Sequence, residues 1–194
     1  MYFFTSDIHF NDDSTLKVDK RPFKSAKEFD KFVIKTWNKQ AKKGDTIFVV
    51  GDFIDCDDET CVNWKKSIHY AKKIKADIVL VCGNNEDRVI KYFFNNNFEA
   101  FKQYCLSLGY KEVYKNLTIS FANHDFYLVH KPRDHKEGII NLYGHIHRSG
   151  GLYKPFGYNV GCDLNHFRLF TEQDILDMIE MQEKYWDKSE DLKF

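Results

Sequence analysis

The chain has no surplus of charge of either sign: 29 lysines and arginines stand against 29 aspartates and glutamates. A protein that holds nucleic acid mainly through its phosphates needs a basic excess, so that class is disfavoured. The lysine-rich stretches 39–43 and 65–75 fall at helical spacing and read as solvated faces. No apolar run is long enough to cross a bilayer, so no membrane partner is expected. The opening Met1-Tyr2-Phe3-Phe4 lacks a basic segment ahead of a long apolar one, which argues against a secretory signal. The five cysteines (Cys56, Cys61, Cys82, Cys105 and Cys162) form no C-x-x-C pair. Their odd number argues against a disulfide framework or a thiolate zinc site, and several sit in apolar runs as small core residues. No linker, repeat or low-complexity stretch divides the chain. The expectation is a single domain over residues 1–194 in a reduced cytoplasm.

What is present is a core and a set of strand ends. Hydrophobic residues make up 43% and aromatics 16%, which excludes disorder. Ile47-Phe48-Val49-Val50 reads as a buried strand that runs into Gly51 and Asp52. A carboxylate at the C-terminal end of such a strand lies where α/β folds keep their chemistry. Tyr2 to Thr5 reads as the first strand, followed by a polar loop from Asn11 to Lys20. Ser25 and Glu28 suit a capping box for a helix reaching about Lys43. Asp57 or Asp58 can cap a second helix carrying Trp64, Ile68 and Ala71. Asp77 to Cys82 is another buried strand, and Gly109 suits the residue just past a helix. Beyond Gly109 short strands dominate, around 111–113, 117–121, 126–130, 139–143 and 158–160. Lys115-Asn116 and Asn123-His124 suit hairpin turns between them. A last helix starts at Thr171 with Asp174 at its third position. The charged tail from Lys188 is expected to fray.

Taken in order, the strand ends carry Asp7 and His9, then Asp52, Asn84, His130, and finally His145 and His147. On extended backbone, residues i and i+2 project to one side, so each x-separated pair can grip one cation. Mixed oxygen and imidazole donors suit manganese, iron or zinc better than calcium or magnesium alone. An aspartate at the hub can place one oxygen on each of two ions.

The ordered motifs Asp7-Ile8-His9, Gly51-Asp52-Phe53-Ile54-Asp55, Gly83-Asn84-Asn85-Glu86, Val129-His130 and Gly144-His145-Ile146-His147 resemble the calcineurin-like metallophosphoesterase superfamily. Asn159-Val160-Gly161 is similar to the segment that follows the last metal motif in small bacterial and phage members. The resemblance covers residues 2 to 163. It implies an α/β fold, a four-layer α/β/β/α sandwich of two mixed sheets flanked by helices. It implies one metal on Asp7, His9, Asp52 and His147, and a second on Asp52, Asn84, His130 and His145. Asp55 would hold a ligand from behind. The cofactors implied are two divalent ions, manganese first, with iron, zinc, nickel or magnesium as alternatives. The reaction implied is hydrolysis of a small phosphodiester or phosphomonoester by a metal-bridging hydroxide.

The sequence departs from the family at Asn85, where a histidine usually contacts the phosphate and helps protonate the leaving oxygen. An amide can donate a hydrogen bond there but supplies no proton at neutral pH. Asn85 and Asp52 are the catalytic candidates. Glu86, His124 and His166 could replace the missing acid, though each reads first as structural. Arg21 and Arg148 are the candidates for holding phosphate oxygens, with Arg133 and Lys131 weaker. Two other readings compete: an interaction scaffold on the same fold, favoured only by Asn85, and a nuclease, disfavoured by neutral charge and the absence of a large cap. The residues do not speak to oligomeric state.

Overall fold

The computed structural model describes residues 1–57, 59–61, 63–154 and 156–186. The expectations placed on Asp58 and on the tail from Lys188 lie outside the described residues. Two five-stranded sheets form. The first comprises β1 (Tyr2–Thr5), β2 (Thr46–Val50), β3 (Asp77–Val81), β4 (Glu112–Tyr114) and β10 (Phe170–Thr171), in the order β10-β1-β2-β3-β4. β1 to β4 are parallel and β10 runs antiparallel to β1. The second comprises β5 (Leu117–Phe121), β6 (His124–Leu128), β7 (Ile140–Tyr143), β8 (Tyr153–Lys154) and β9 (Gly157–Asn159), in the order β5-β6-β7-β9-β8.

The strands of the first sheet are continuous apolar runs because both their faces are covered. Phe3, Ile47, Val49, Ile78 and Leu80 face one way, into a core shared with helices. That core takes Phe29, Val33 and Trp37 from α2 (Ala26–Gln40), Trp64 from α3 (Trp64–Ser67), Val89 and Ile90 from α4 (Asn84–Phe93), and Phe101 and Cys105 from α5 (Phe98–Ser107). Phe4, Phe48, Val50, Val79 and Val81 face the other way and meet Phe126, Leu128, Leu142 and Tyr158 of the second sheet. α6 (Glu172–Met181) adds Ile175 and Ile179 to this core between the sheets. The fold is thus the expected pair of mixed sheets flanked by helices. On β5 the pattern alternates, with Thr118 and Ser120 exposed between half-buried neighbours, as expected of a strand with one open face.

Four local expectations change. The polar stretch 11–20 holds a short helix, α1 (Asp13–Val18). Asp12 caps it by accepting from the Ser14 and Thr15 N–H groups, and Leu16 and Thr15 anchor it inside. A single buried leucine gave no period to read. The helix expected from Asp57 or Asp58 begins only at Trp64, then tightens to a 3₁₀ turn over Ile68–Lys73. Lys115-Asn116 is no hairpin, since β4 and β5 belong to different sheets and the chain crosses between them there. The hairpin turn between β5 and β6 is Ala122-Asn123, one residue earlier than expected. Both have positive φ, 48° and 63°, the combination that matches the twist of paired strands. Ser25 does cap α2 on the Glu28 N–H, and Thr171 and Asp174 do form a capping box on α6. Gly109, at φ 93°, follows α5 as expected. No helix among the described residues is long and apolar enough to cross a membrane.

Candidate metal centre

At the C-terminal ends of the strands the two sheets are tied together. Ser6 bridges Gly161, and the Cys162 N–H donates to the Ser6 carbonyl at 3.0 Å. Past β1 the chain does not stay extended. Asp7 (φ 58°), His9 (53°), Asp52 (51°), His145 (72°) and His147 (46°) all adopt left-handed backbone. The picture of i and i+2 projecting from an extended strand is therefore replaced by alternating left-handed kinks. Each kink costs on the order of 1–3 kcal/mol and persists only where its surroundings over-determine it. Here the Asp7 N–H donates to Gly51 O at 3.1 Å and the His9 N–H to Asp52 O at 3.0 Å.

Two lobes result. In the first, one ligand atom each from Asp7, His9 and His147 lie within 4.8 Å of one another, and the two rings are 5.2 Å apart. Asp7 is fully buried, and its carboxylate accepts the Ser6 hydroxyl at 2.5 Å and the His145 N–H at 2.9 and 3.0 Å. In the second lobe, Asp52, His130 and His145 converge within the same limit, with rings again 5.2 Å apart. The Asn84 amide oxygen lies 3.1 Å from His130 Nε2 and 2.8 Å from His145 Nδ1. Asp52 stands between the lobes. Its Oδ2 is 3.7 Å from His9 Nε2 and 3.3 Å from His130 Nε2, while Oδ1 accepts the Asn85 N–H at 3.0 Å. A single oxygen thus faces both lobes, where one oxygen for each ion had been expected.

The residues fit a pair of cations. His9 Nε2 is buried and has no hydrogen-bond partner among the described residues, although Asp52 Oδ2 lies 3.7 Å away. Burial opposes charge on His130, yet the Asp52 carboxylate beside it wins and pushes the imidazole up to about 10. Burial likewise opposes charge on His9, and Asp55, Asp52 and Asp7 together raise it. Burial alone would raise Asp52; the imidazoles of His130 and His9 hold it far below the usual carboxylate range. The site calls for positive charge, and protons supply it when nothing else does. Glycines clear the room. A Cβ on Gly51 would lie 2.1 Å from His130 Nδ1, and one on Gly83 would lie 2.2 Å from Asp52 Oδ1. One on Gly144 would meet Ser6 Oγ at 2.1 Å and Asp7 Oδ2 at 2.5 Å.

All seven expected ligands are brought together. The other candidates are placed differently. Asp55 sits behind His9, its Oδ1 3.3 Å from Nδ1. Arg21 is buried and faces away from solvent. It donates to Asp7 O (2.7 Å), Ile8 O (2.8 Å) and both Asp163 oxygens (2.7 and 2.9 Å). Its fork braces the first kink and is not free for a phosphate. Arg148 is exposed one residue beyond His147, and no ion pair holds it among the described residues. The Asn85 side chain is buried, with its oxygen accepting the Cys56 N–H at 3.0 Å and Arg88 at 3.3 Å. It meets Asp52 through its backbone alone. Glu86 is structural: its carboxylate accepts the N–H groups of Asp52, Phe53, Ile54 and Gly83. Burial and the Asp52 charge push it up to about 7 against those donors. His124 begins β6 while His130 lies beyond its far end, about 20 Å away along the strand.

Sequence reading missed Asp19, Asp163 and Arg88. Asp19 Oδ2 lies 2.5 Å from His147 Nδ1, across 128 positions. Asn159 was noticed only as part of a segment; its amide donates to His147 O at 2.6 Å and anchors that loop.

Two imidazole pairs around a shared carboxylate, at the crest of two facing sheets, make a site suited to divalent metal ions. The calcineurin-like phosphoesterase family pattern matches residues 2–192. The chain belongs to that family of hydrolases acting on ester bonds. An uncharacterized protein of Methanocaldococcus jannaschii is 32% identical over 92 residues, 45% of this chain. The aligned part is 50% of that protein, so the chain spans about half the length of the curated relative it matches. A solved protein of unknown function from Aquifex aeolicus aligns over 92% of this chain and 98% of its own, at 19% identity and a TM-score of 0.67. A novel archaeal phosphodiesterase aligns over 82% of this chain and 81% of its own, at 15% identity and a TM-score of 0.45.

Proposed function

We propose that the chain hydrolyses a small phosphodiester, or a phosphomonoester, at a dinuclear centre loaded with manganese. The observation that carries this is the position of Asp52 Oδ2, 3.7 Å from one imidazole pair and 3.3 Å from the other. Asp7, His9, Asp52 and His147 would hold one ion, and Asp52, Asn84, His130 and His145 the other. Such a pair supplies a water of lowered pKa as nucleophile and a clamp on the attacking and leaving oxygens.

The protein's own residues do the rest. The kinked backbones fix the ligands before anything binds. His145 is exposed, so substrate approaches over the second lobe. Arg148, exposed one residue beyond His147, is the candidate to pair with phosphate oxygens in two-pronged fashion. Asn85 is turned into the protein, so the leaving oxygen depends on its own basicity. Alkyl esters should therefore lag behind aryl esters, because the general acid that their more basic leaving oxygens need is usually worth about 10²–10⁴-fold. Asn85 is also the one feature that favours a scaffold with silent chemistry.

Turnover of an aryl phosphodiester with added manganese, lost in Asp52→Asn, tests the proposal. Two bound ions without turnover of any mono- or diester would move the weight to the scaffold.

A further inference from the structure

The two lobes differ in what stands behind their imidazoles. A metal-binding histidine uses one nitrogen for the ion and donates the other N–H to a partner that fixes the ring. His130 Nδ1 has the Val50 carbonyl at 2.9 Å. His9 Nδ1 has the Asp55 carboxylate at 3.3 Å. His147 has Asp19, at 2.5 Å from Nδ1, which leaves Nε2 facing Asp7 Oδ1 at 3.9 Å.

We propose that Asp19 is a positioning residue of the first lobe: it holds the proton of His147 on Nδ1 and so commits Nε2 to the metal. This rests on the dinuclear reading above. The arm that delivers Asp19 is built for the purpose. α1 ends at Asp19, whose own N–H donates to Thr15 O at 2.9 Å. Two residues on, Arg21 fastens the arm to the carbonyls of Asp7 and Ile8 and to Asp163. Asp163 comes within 4.0 Å of His147 Nδ1, but both its oxygens accept from Arg21 at 2.7 and 2.9 Å, whereas Asp19 Oδ2 stands 3.8 Å from Arg21 Nη2 and 2.5 Å from the ring, which makes Asp19 the acceptor. His147 needs such a partner because its ring is held on a left-handed kink and is partly open to water.

The test compares wild type, Asp19→Ala, Asp19→Asn and, as a surface-carboxylate control, Asp134→Ala. Long-range ¹H–¹⁵N spectra of the metal-free protein at mildly alkaline pH report which nitrogen of His147 carries the proton. Titration calorimetry with Mn²⁺ reports affinity at each site. Wild type and the control should show the Nδ1–H form. Asp19→Ala should show a mixture and weaken one of two binding events about 10–100-fold. Asp19→Asn, which keeps an acceptor oxygen and the shape, should retain the Nδ1–H form and most of the affinity. If Asp19→Ala does not fold, a His147 proton that is no better fixed in Asp19→Asn than in free imidazole overturns the idea. An unchanged tautomer and unchanged affinities in Asp19→Ala overturn it as well. A wild type that binds no manganese defeats the dinuclear reading, and with it the role of Asp19 toward a metal, whatever the tautomer shows.

Discussion

The first lobe, around Asp7, His9 and His147, is braced by carboxylates: Asp55 behind one ring and Asp19 behind the other. The second lobe, around His130 and His145, has a neutral group behind its first ring, the Val50 carbonyl. Both lobes hold a pair of rings 5.2 Å apart and both face Asp52. The same ligand chemistry is therefore set in two different fields. A carboxylate behind an imidazole raises its basicity and strengthens it as a donor. The first lobe has Asp7 as a second anion of its own, with Arg21 and Asp163 neutralising each other alongside. The second lobe has Asp52 alone.

That difference can be broken most forcefully at Asp52. Asp52→Asn removes the only carboxylate ligand of the second lobe but leaves Asp7 to the first. Metal content should fall from two ions to one under conditions that saturate wild type. Turnover should fall by more than the roughly 100-fold that loss of an outer partner costs. Metal analysis beside kcat/KM checks both; two ions retained would show that the lobes do not share this residue.

Arg21→Ala strikes the first lobe without touching a ligand. It strands Asp163 and two buried carbonyls, and breaking a buried pair in this way costs about 3–5 kcal/mol. Chemical denaturation should show that loss, and the first lobe should bind manganese more weakly while the second does not.

Acidity sharpens the comparison further. In the metal-free protein the Asp52 carboxylate pushes His130 up to about 10, against about 6.5 when unfolded. Between those values the folded state binds more protons, so stability falls as pH rises. Glu86, pushed up to about 7, acts in the same direction from about 4.5 upward. Asp52 contributes stability that is present above its unfolded value and lost only in strong acid. The chelated protein should stay folded, since its core is large, but melt at lower temperature at pH 9 than at pH 6. Manganese affinity should climb over the same interval as the ion displaces the His130 proton. A melting temperature that rises with pH under chelation would refute the assignment.

The smallest effect is expected at Asn85. Asn85→His gives up the bond from the Cys56 N–H, which costs about 1–3 kcal/mol if that group is left unpaired. Because the side chain points at Cys56 and Arg88, the new ring should leave the dependence of rate on leaving-group pKa unchanged. A flatter dependence, with alkyl esters gaining more than aryl esters, would show that the ring has swung into the site.

Much of this was readable in one dimension. The strands of the first sheet are buried on both faces, so Ile47 to Val50 and Ile78 to Val81 appear as unbroken apolar runs. Their ends mark the candidate ligands because chemistry on such sheets gathers there. What was not readable came from proximity across long separations. Asp19 sits in a stretch whose polar residues gave no period, and its partner His147 is 128 positions away. Arg21 could be noticed as a basic residue near the first motif, but not that Asp163 would claim its fork. Nor does the spelling Asp-x-His disclose that both residues adopt left-handed backbone. The β5–β6 turn was misjudged by one residue because Ala122 is an unusual choice for positive φ.

The pairing of β1 carries a consequence for how the chain reaches this state. β1 lies inside its sheet, with β2 on one edge and β10 on the other. The Tyr2 N–H even reaches the Glu172 carboxylate at 2.6 Å, 170 positions away. Until residues 170–171 are made, β1 is therefore paired on one side only, and the unpaired N–H and C=O groups of its other edge are open to association. Contacts of such span close slowly, because the intervening loop entropy is lost before they form. Asp7 and His9 hang from that same strand. Every candidate ligand through His147 has been made by the time β10 arrives, yet the strand that carries the first of them gains its second neighbour only from the last strand of its sheet.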